Sequence, residues 1–210
     1  MILVRETVLA DWQALRDVRL QALRDAPYAF SSTYEDQVKS GEDFWRQRIA
    51  RGGTFLAYLP EVSASEPAGM AGGYQEAPGI VELISMFVRP QARGRGVGEA
   101  LVDAVIGWAR ARDAASVHLW VTETNKPALL LYERCGFMVT AERQPLPSDP
   151  ALGEVGMTCP LAPSSPGQGG TGQGGTGQGW GRRSSRPRMA SQTSGWLSRS
   201  KWCIPPNSRA

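Results

Sequence analysis

The sequence predicts an α/β protein whose strands and helices pack around one sheet in residues 1–161, followed by a low-complexity tail. An apolar run from Ile80 to Val88, typical of a buried strand, leads into a glycine-rich basic loop and then a helix with one apolar face. Further strand-like and helix-like segments lie on both sides of this central unit. The composition changes abruptly after Leu161, where near-repeats of Gly, Gln and Thr follow a Pro/Ser-rich stretch.

The remaining elements are predicted from apolar spacing and from the residues that break it. Their order is strand, two helices, three strands, helix, strand, helix and two strands. Gly41 stands as a break within the second helix, and Pro145, Pro147 and Pro150 mark a loop near the end. The predicted ranges are strands 2–6, 54–59, 68–75, 80–88, 116–122, 137–142 and 153–161, and helices 9–23, 34–51 and 126–134. The helix of the central unit is predicted from apolar residues that recur between Val97 and Trp108.

The charge divides the chain into two unlike parts. All 20 acidic residues but only 16 of the 23 basic residues precede residue 162, so residues 1–161 carry −4 and residues 162–210 carry +7. The tail cannot bury enough apolar surface to offset its ordering entropy, and we predict it to be disordered. Because the basic surplus lies in the tail, a nucleic-acid-binding domain is not predicted.

Cysteine usage and hydropathy exclude several other classes. The three cysteines, Cys135, Cys159 and Cys203, have no paired spacing, and with His118 as the single histidine no disulfide framework or metal site is expected. Cys135 is expected to be a small buried side chain rather than a nucleophile. No apolar stretch approaches the about 20 residues of a membrane helix, and the first residues lack a signal-peptide core. A cytoplasmic protein without a membrane partner is expected.

The loop of the central unit suits an anionic ligand. Glycines let backbone amides approach a phosphate, and the helix that follows adds unpaired N–H groups and a positive dipole end. The spacing is Arg-x-x-Gly-x-Gly, with Arg93, Gly96 and Gly98, and an overlapping Gln91 version. A Walker loop would need a Lys after the glycines, and a dinucleotide fingerprint would need Gly-x-Gly-x-x-Gly.

This segment resembles the acyl-coenzyme A pyrophosphate loop of the GNAT superfamily of N-acetyltransferases. A second segment, Asn125 to Phe137, is similar to the family's N-x-x-A-x-x-x-Y-x-x-x-G-F motif, and the run from Arg19 to Ser32 is similar to a recurring N-terminal pattern. The predicted order of elements agrees with the family. The resemblance implies a mixed, mostly antiparallel sheet of six or seven strands flanked by about four helices, with a splayed strand pair at the cofactor site.

The resemblance also implies acetyl-coenzyme A as co-substrate. Its pantetheine arm is expected to pair with the backbone of Met86, Phe87 and Val88, where an amide of Phe87 or Val88 would stabilise the oxyanion. Asn125 is expected to cap the helix that follows it and to contact the coenzyme A arm. The pyrophosphate is expected to bind the loop residues Arg93, Gly94, Arg95, Gly96, Val97 and Gly98.

Two residues are the candidates for proton transfer. Tyr132 lies two helical turns beyond Asn125, and the resemblance implies that its phenol protonates the departing thiolate. Glu82, on the central strand, is the candidate general base, and His118 is the weaker alternative. A neutral amine would need no base. Glu35 and Asp36, close to the expected acceptor cleft, are alternatives for binding a cationic substrate.

The function implied is direct transfer of an acetyl group from acetyl-coenzyme A to a primary amine, in a ternary complex of a monomer or homodimer. The acceptor stays open among small amines, amino acids, antibiotics, peptide N-termini and protein lysines. One alternative is a non-catalytic acyl-coenzyme A-binding or sensing module. Another is a partner- or nucleic-acid-binding role of the tail, which holds Trp180, Trp196 and Trp202 among its arginines.

Overall fold

Seven strands form one sheet in the computed structural model, which describes residues 1–63 and 65–162. The strands are β1 (Leu3–Glu6), β2 (Thr54–Tyr58), β3 (Gly69–Ala77), β4 (Ile80–Val88), β5 (Ser116–Thr122), β6 (Met138–Leu146) and β7 (Asp149–Pro160). Their order across the sheet is β1-β2-β3-β4-β5-β7-β6. Neighbouring strands are antiparallel except β4 and β5, which are parallel. The predicted mixed, mostly antiparallel sheet is confirmed.

The described part of the chain has five α-helices, one more than the about four expected. They are α1 (Trp12–Asp25), α2 (Tyr34–Gln37), α3 (Glu42–Ala50), α4 (Val97–Arg110) and α5 (Lys126–Arg134). The predicted helical segment 34–51 forms both α2 and α3, and Gly41, the predicted break, has an extended backbone directly before α3. None of the helices in residues 1–63 and 65–162 is long and apolar enough to cross a membrane. The tail predicted to be disordered lies, from residue 163 onward, outside the described residues.

The last hairpin is longer than predicted. The prolines taken to mark a loop lie within or beside the strands, since β6 continues to Leu146 and β7 already begins at Asp149. Pro145 pairs with Gly153 on β7. This position tolerates proline because β6 is the outermost strand of the sheet. On its solvent side there is no neighbouring strand, so an N–H that is missing there costs no hydrogen bond between strands.

Two apolar layers cover the two faces of the sheet. On one face the predicted apolar stripe of α4, with Val97, Leu101 and Val105 at its centre, is buried against β2, β3 and β4. On the other face Val18 of α1 and Trp45 of α3 pack with residues of β2, β3 and β4. The two layers fix α4 on one side of the central strand and the α1–α3 pair on the other.

The central strands separate after a short paired stretch. β4 and β5 pair only at three positions, from Ile80 with Ser116 to Glu82 with His118. Beyond Glu82 the two strands diverge, so the second half of β4 faces β3 on one side and a gap on the other. This is the splayed strand pair that the family resemblance implies, and it opens a cleft in the middle of the sheet.

A bulge in β4 lies at the beginning of the gap. Phe87 pairs with Met70 and Ile84 with Gly72, so Ser85 and Met86 lie together opposite the single residue Ala71. Ser85 has a positive φ of 58°, which is uncommon for a residue other than glycine.

The bulge changes which face the following side chains occupy. Val81 and Leu83 before it, and Met86 and Val88 after it, all pack on the α4 side, whereas Phe87 packs on the α1–α3 side. Strict alternation would place Met86 on the same face as Glu82 and Ile84, and the bulge moves it to the opposite face. A strict alternation along the strand cannot foresee an inserted residue.

The α1–α3 layer depends on one large side chain. Trp45 is fully buried, lies edge-on to Phe44 at a centroid distance of 5.1 Å, and donates its indole N–H to the carbonyl of Ser40 at 3.3 Å. We expect Trp45→Ala to lower the free energy of unfolding by about 3–5 kcal/mol, because it leaves a large cavity. Gln47→Ala, on the exposed side of the same helix, should change it by less than about 0.5 kcal/mol. Urea unfolding of both variants checks this, and equal midpoints would contradict it.

Candidate active site

A cleft of about 650 Å³ lies where β4 and β5 diverge. The last six residues of β4 form one wall, and the end of β5 with α5 forms the other. The loop before α4 closes one end, and the segment between α1 and α2 reaches the opposite end. The cleft brings together the predicted residues Met86, Phe87, Val88, Arg93, Gly94, Gly96, Val97, Gly98, Asn125 and Tyr132.

The loop before α4 presents backbone amides to the cleft. Gly94 and Gly96 have positive φ values of 69° and 81°, which turn the chain sharply into the helix. The first amide after the loop that bonds back into it is that of Ala100, which donates to the carbonyl of Gly96 at 3.1 Å. Within the described part of the chain, the amides of residues 94–99 donate to no carbonyl. Such a row of free amides at a helix start fits a phosphate group.

The first turn of α4 packs closely against α5. A Cβ on Gly98 would lie 3.1 Å from a methyl carbon of Leu131, so a larger residue would require that side chain to move. Glu99, whose charge would oppose an anion here, pairs with Arg134 at 2.8 Å. This hydrogen bond is the main reason that the pKa of Glu99 lies below its usual value. The negative charge is thus balanced at the edge of the cleft.

The two loop arginines take different positions. Arg93 lines the cleft, and its Nε donates to the carbonyl oxygen of Val88 at 3.0 Å. Arg95 is exposed and lies outside the residues that line the cleft. The prediction that both arginines contact the pyrophosphate stays untested, but the geometry favours Arg93.

Helix α5 begins as predicted and carries the predicted phenol. The side chain of Asn125 caps the helix by accepting from the amide of Ala128 at 3.3 Å. Tyr132 is buried, and its ring contacts that of Phe137 at a centroid distance of 5.8 Å. Burial, assisted by the neighbouring Cys135, raises the pKa of the Tyr132 phenol above its ordinary value. The phenol therefore holds its proton at neutral pH.

Cys135 has the character of a packed thiol. Burial raises its pKa to about 11, and the carboxylates of Asp103 and Glu99 add to the shift. Since the thiolate is the nucleophilic form, this thiol is unreactive at neutral pH. Cys135 is only partly buried, at the end of α5, where it packs against the core on the α4 side of the sheet.

The candidate bases and acceptor-binding acids lie outside the cleft lining. Glu82 is buried at the last paired position of β4, directly opposite His118 in register. Glu35 and Asp36 are exposed on α2. Among the described residues that line the cleft, the one carboxylate is that of Glu99. The structure thus brings the cofactor candidates together and leaves the base candidates outside the surface of the cleft.

The end of the cleft opposite the loop contains residues that the sequence analysis missed. Tyr28 and Phe30 line it, and hydrogen bonds from Thr122 to the Tyr28 carbonyl, at 2.7 Å, and from Ser148 to the Phe30 carbonyl, at 2.6 Å, hold the backbone here. Ser85, at the bulge, lines the cleft as well. The Pro-x-Ala-Phe run between the first helices was the available signal for Phe30, whereas nothing in the sequence marks Ser85.

The structure is that of an α/β protein whose cleft joins two features. One is a loop of backbone amides without carbonyl partners, and the other is the unpaired edge of a strand inside the sheet. The chain belongs to the acetyltransferase (GNAT) family, whose model matches residues 12–137, more than half of its length. A GCN5-related N-acetyltransferase from Kribbella flavida has a similar structure, with 25% identity and a TM-score of 0.59 over 76% of this chain and 98% of that one. YncA from Salmonella typhimurium, solved with acetyl-CoA, shares the fold at 18% identity, with a TM-score of 0.60 over 80% of this chain and 99% of that one.

The relatives found by sequence are matched over a smaller share of their own length than the solved structures are. A mycothiol acetyltransferase from Acidothermus cellulolyticus is 30% identical over 136 residues, which are 61% of this chain and 42% of that protein. An uncharacterized N-acetyltransferase from Methanocaldococcus jannaschii is 43% identical over 58 residues, 28% of this chain and 26% of that protein. The chain therefore matches less than half the length of these curated relatives.

Proposed function

We propose that this protein transfers an acetyl group from acetyl-coenzyme A directly to a primary amine bound in the same cleft. One observation carries the proposal: the cleft joins a loop of free amides to an unpaired strand edge and to a buried phenol. Residues 93–98 would hold the pyrophosphate, and the edge of β4 from Met86 to Val88 would pair with the amide groups of the pantetheine arm. Asn125 would contact that arm from the opposite wall.

The direction of the strand amides selects a donor for the oxyanion. The amide of Arg89 donates to the carbonyl of Ala68, toward β3, and successive amides of a strand point to opposite sides. The amide of Val88 therefore points toward the gap, while that of Phe87 points toward β3. The Val88 carbonyl, which accepts from Arg93, lies on the same open side. This alternation supports Val88, rather than Phe87, as the residue that polarises the thioester carbonyl.

Tyr132 supplies the proton for the leaving group. The amine nitrogen forms a bond to the acetyl carbon as the carbon–sulfur bond breaks, and the thiolate takes the phenol proton. The amine gives up its own proton to water or to Glu82, our candidate base, which lies where β4 and β5 part and would act through a water molecule. The raised pKa of Tyr132 keeps the acid protonated for each turnover.

Calorimetric titration of the full chain with acetyl-coenzyme A is the direct test. We expect one site with a dissociation constant in the micromolar range, which corresponds to a binding free energy of about −8 kcal/mol. Desulfo-coenzyme A should bind similarly because it keeps the pyrophosphate and the pantetheine arm, whereas NADP should not bind. Thiol release with a panel of amines then tests transfer. A folded sample that binds none of the coenzyme A ligands would contradict the proposed function, and binding without thiol release for any amine would favour the sensing alternative.

A further inference from the structure

A buried arginine lies behind the acceptor end of the cleft. Arg19 of α1 is only 4% exposed, and its Nε donates to the side-chain oxygen of Gln37 at 3.0 Å. Its guanidinium lies 4.5 Å from the centre of the Phe30 ring, which lines the cleft. Within the described residues Nη1 of Arg19 has no hydrogen-bond partner. A buried cation of this kind is costly unless an anion or a strong acceptor compensates for it.

A second buried arginine reaches the same wall through Ser85. Arg48 of α3 is 7% exposed, and its Nη2 donates to the Ser85 hydroxyl oxygen at 2.6 Å. Burial lowers the pKa of Arg48 to about 10, and that of Arg19 is also lowered, first by burial and then by the charge of Arg48. Because guanidinium groups are not deprotonated in proteins, two buried positive charges lie close to this wall.

The Ser85 hydroxyl can donate a hydrogen bond to a ligand while it accepts one from Arg48. Arginine only donates, so the Ser85 oxygen accepts from Arg48 and the hydroxyl proton remains available to a further acceptor. Ser85 lines the cleft and adopts its positive φ of 58° at the bulge. Backbone strain of this kind is concentrated at ligand-binding and active-site positions. The hydroxyl, polarised by a guanidinium, is a strong donor toward an anionic oxygen.

We propose that the acceptor amine carries a carboxylate, and that the Ser85 hydroxyl binds this carboxylate in the positive field of Arg48 and Arg19. The inference deepens the proposed function and rests on it. The alternative of a second ammonium group on the acceptor is disfavoured by the lining of the cleft. Its one carboxylate among the described residues, that of Glu99, pairs with Arg134 at the far end, beside the phosphate loop. Amino acids and peptides with a nearby carboxylate are therefore the predicted acceptor class.

Matched pairs of acceptors test this proposal. Each pair contains an amino acid or a short acidic peptide and the same molecule with its carboxylate converted to an amide. Thiol release from acetyl-coenzyme A gives kcat and KM for both members. We expect the wild-type chain to favour the carboxylate member by at least about tenfold in kcat/KM, chiefly through KM, because a hydrogen bond to a charged group contributes about 1.5–3 kcal/mol.

Two variants of Ser85 remove the hydroxyl. Ser85→Gly also relieves the positive φ, so it should fold at least as readily as the wild-type chain, whereas Ser85→Ala keeps the strain. Both should lose the preference for the carboxylate member by about tenfold, because the bond to a charged acceptor is worth more than the bond to a neutral amide oxygen. Ser116→Ala, on the paired part of β5, is the matched control and should keep the preference.

The outcomes separate this inference from the proposed function. Equal use of both members by the wild-type chain would overturn it, and so would an equal fall of both members in the Ser85 variants, since that is the result expected of a purely structural serine. Binding of acetyl-coenzyme A with turnover of neutral amines alone would overturn the inference and leave the proposed function standing. Failure to bind acetyl-coenzyme A would overturn both.

Discussion

Replacing Gly96 with glutamate is expected to abolish acetyl-coenzyme A binding. Gly96 has a φ of 81°, directly precedes the first residue of α4, and lines the cleft at the row of free amides. A carboxylate here would meet the pyrophosphate at short range, and juxtaposed like charges cost several kcal/mol. A loss of about 4 kcal/mol corresponds to a dissociation constant about 1000-fold weaker. Calorimetric titration of the folded variant measures this directly.

Gly107→Glu provides the matched control. Gly107 is exposed on the same helix, and a Cβ added there would meet no atom within 4 Å. The control adds the same charge to α4 without touching the cleft, so its affinity for acetyl-coenzyme A should equal that of the wild-type chain. If Gly96→Glu keeps that affinity too, the loop does not hold the pyrophosphate.

Replacing Tyr132 with phenylalanine is expected to reduce kcat by about 100-fold or more, with little change in the affinity for acetyl-coenzyme A. A positioned general acid typically contributes about 10²–10⁴-fold. The ring that packs against Phe137 is kept, so the wall of the cleft retains its shape. Because burial raises the pKa of the phenol from its ordinary value of 10.0, the wild-type rate should not fall through loss of this proton below pH 10. Steady-state turnover across pH, together with calorimetry, separates the two effects.

Tyr34→Phe removes a phenol oxygen outside the cleft. Tyr34 lies on α2 beneath Arg24, 5.0 Å from the guanidinium carbon to the ring centre, and outside the lining of the cleft. Its variant should turn over like the wild-type chain. Equal turnover of the Tyr132→Phe and wild-type chains would remove Tyr132 from the role of acid and leave water as the proton source for the thiolate.

The central unit could be predicted from the sequence because its signals are local. The apolar run of β4, the glycines of the loop and the helical spacing of α4 each follow from residues close together in the chain. The same holds for Asn125, whose side chain caps the helix directly after it. Helix α3 and the last hairpin were placed less well. The segment predicted around Gly41 forms two helices, with this glycine directly before the second one. Pro145, expected to mark a loop, lies on the edge strand β6.

The acceptor wall could not be predicted, because it depends on contacts between distant segments. Arg19 and Arg48 read as ordinary charged residues of amphipathic helices, and only the packing of α1 and α3 against the sheet buries them. The bulge at Ser85 is equally hidden, since serine has no preference for a positive φ. Thirty-seven positions separate Arg48 from its hydroxyl partner, and no local pattern records such a pairing.

Because β4 and β5 pair at only three positions, the sheet has two parts that are joined at one end. One part contains strands β1 to β4, and the other contains strands β5, β7 and β6. Main-chain hydrogen bonds join these two parts only at one end. A molecule that binds in the gap and contacts both walls would therefore add contacts between the two parts, as an additional strand would. A ligand that binds only the folded chain adds its binding energy to the stability of the fold, about 2.7 kcal/mol at a concentration 100 times its dissociation constant. If acetyl-coenzyme A binds in the gap as proposed, the resistance of this chain to heat and denaturants should rise with the concentration of that ligand.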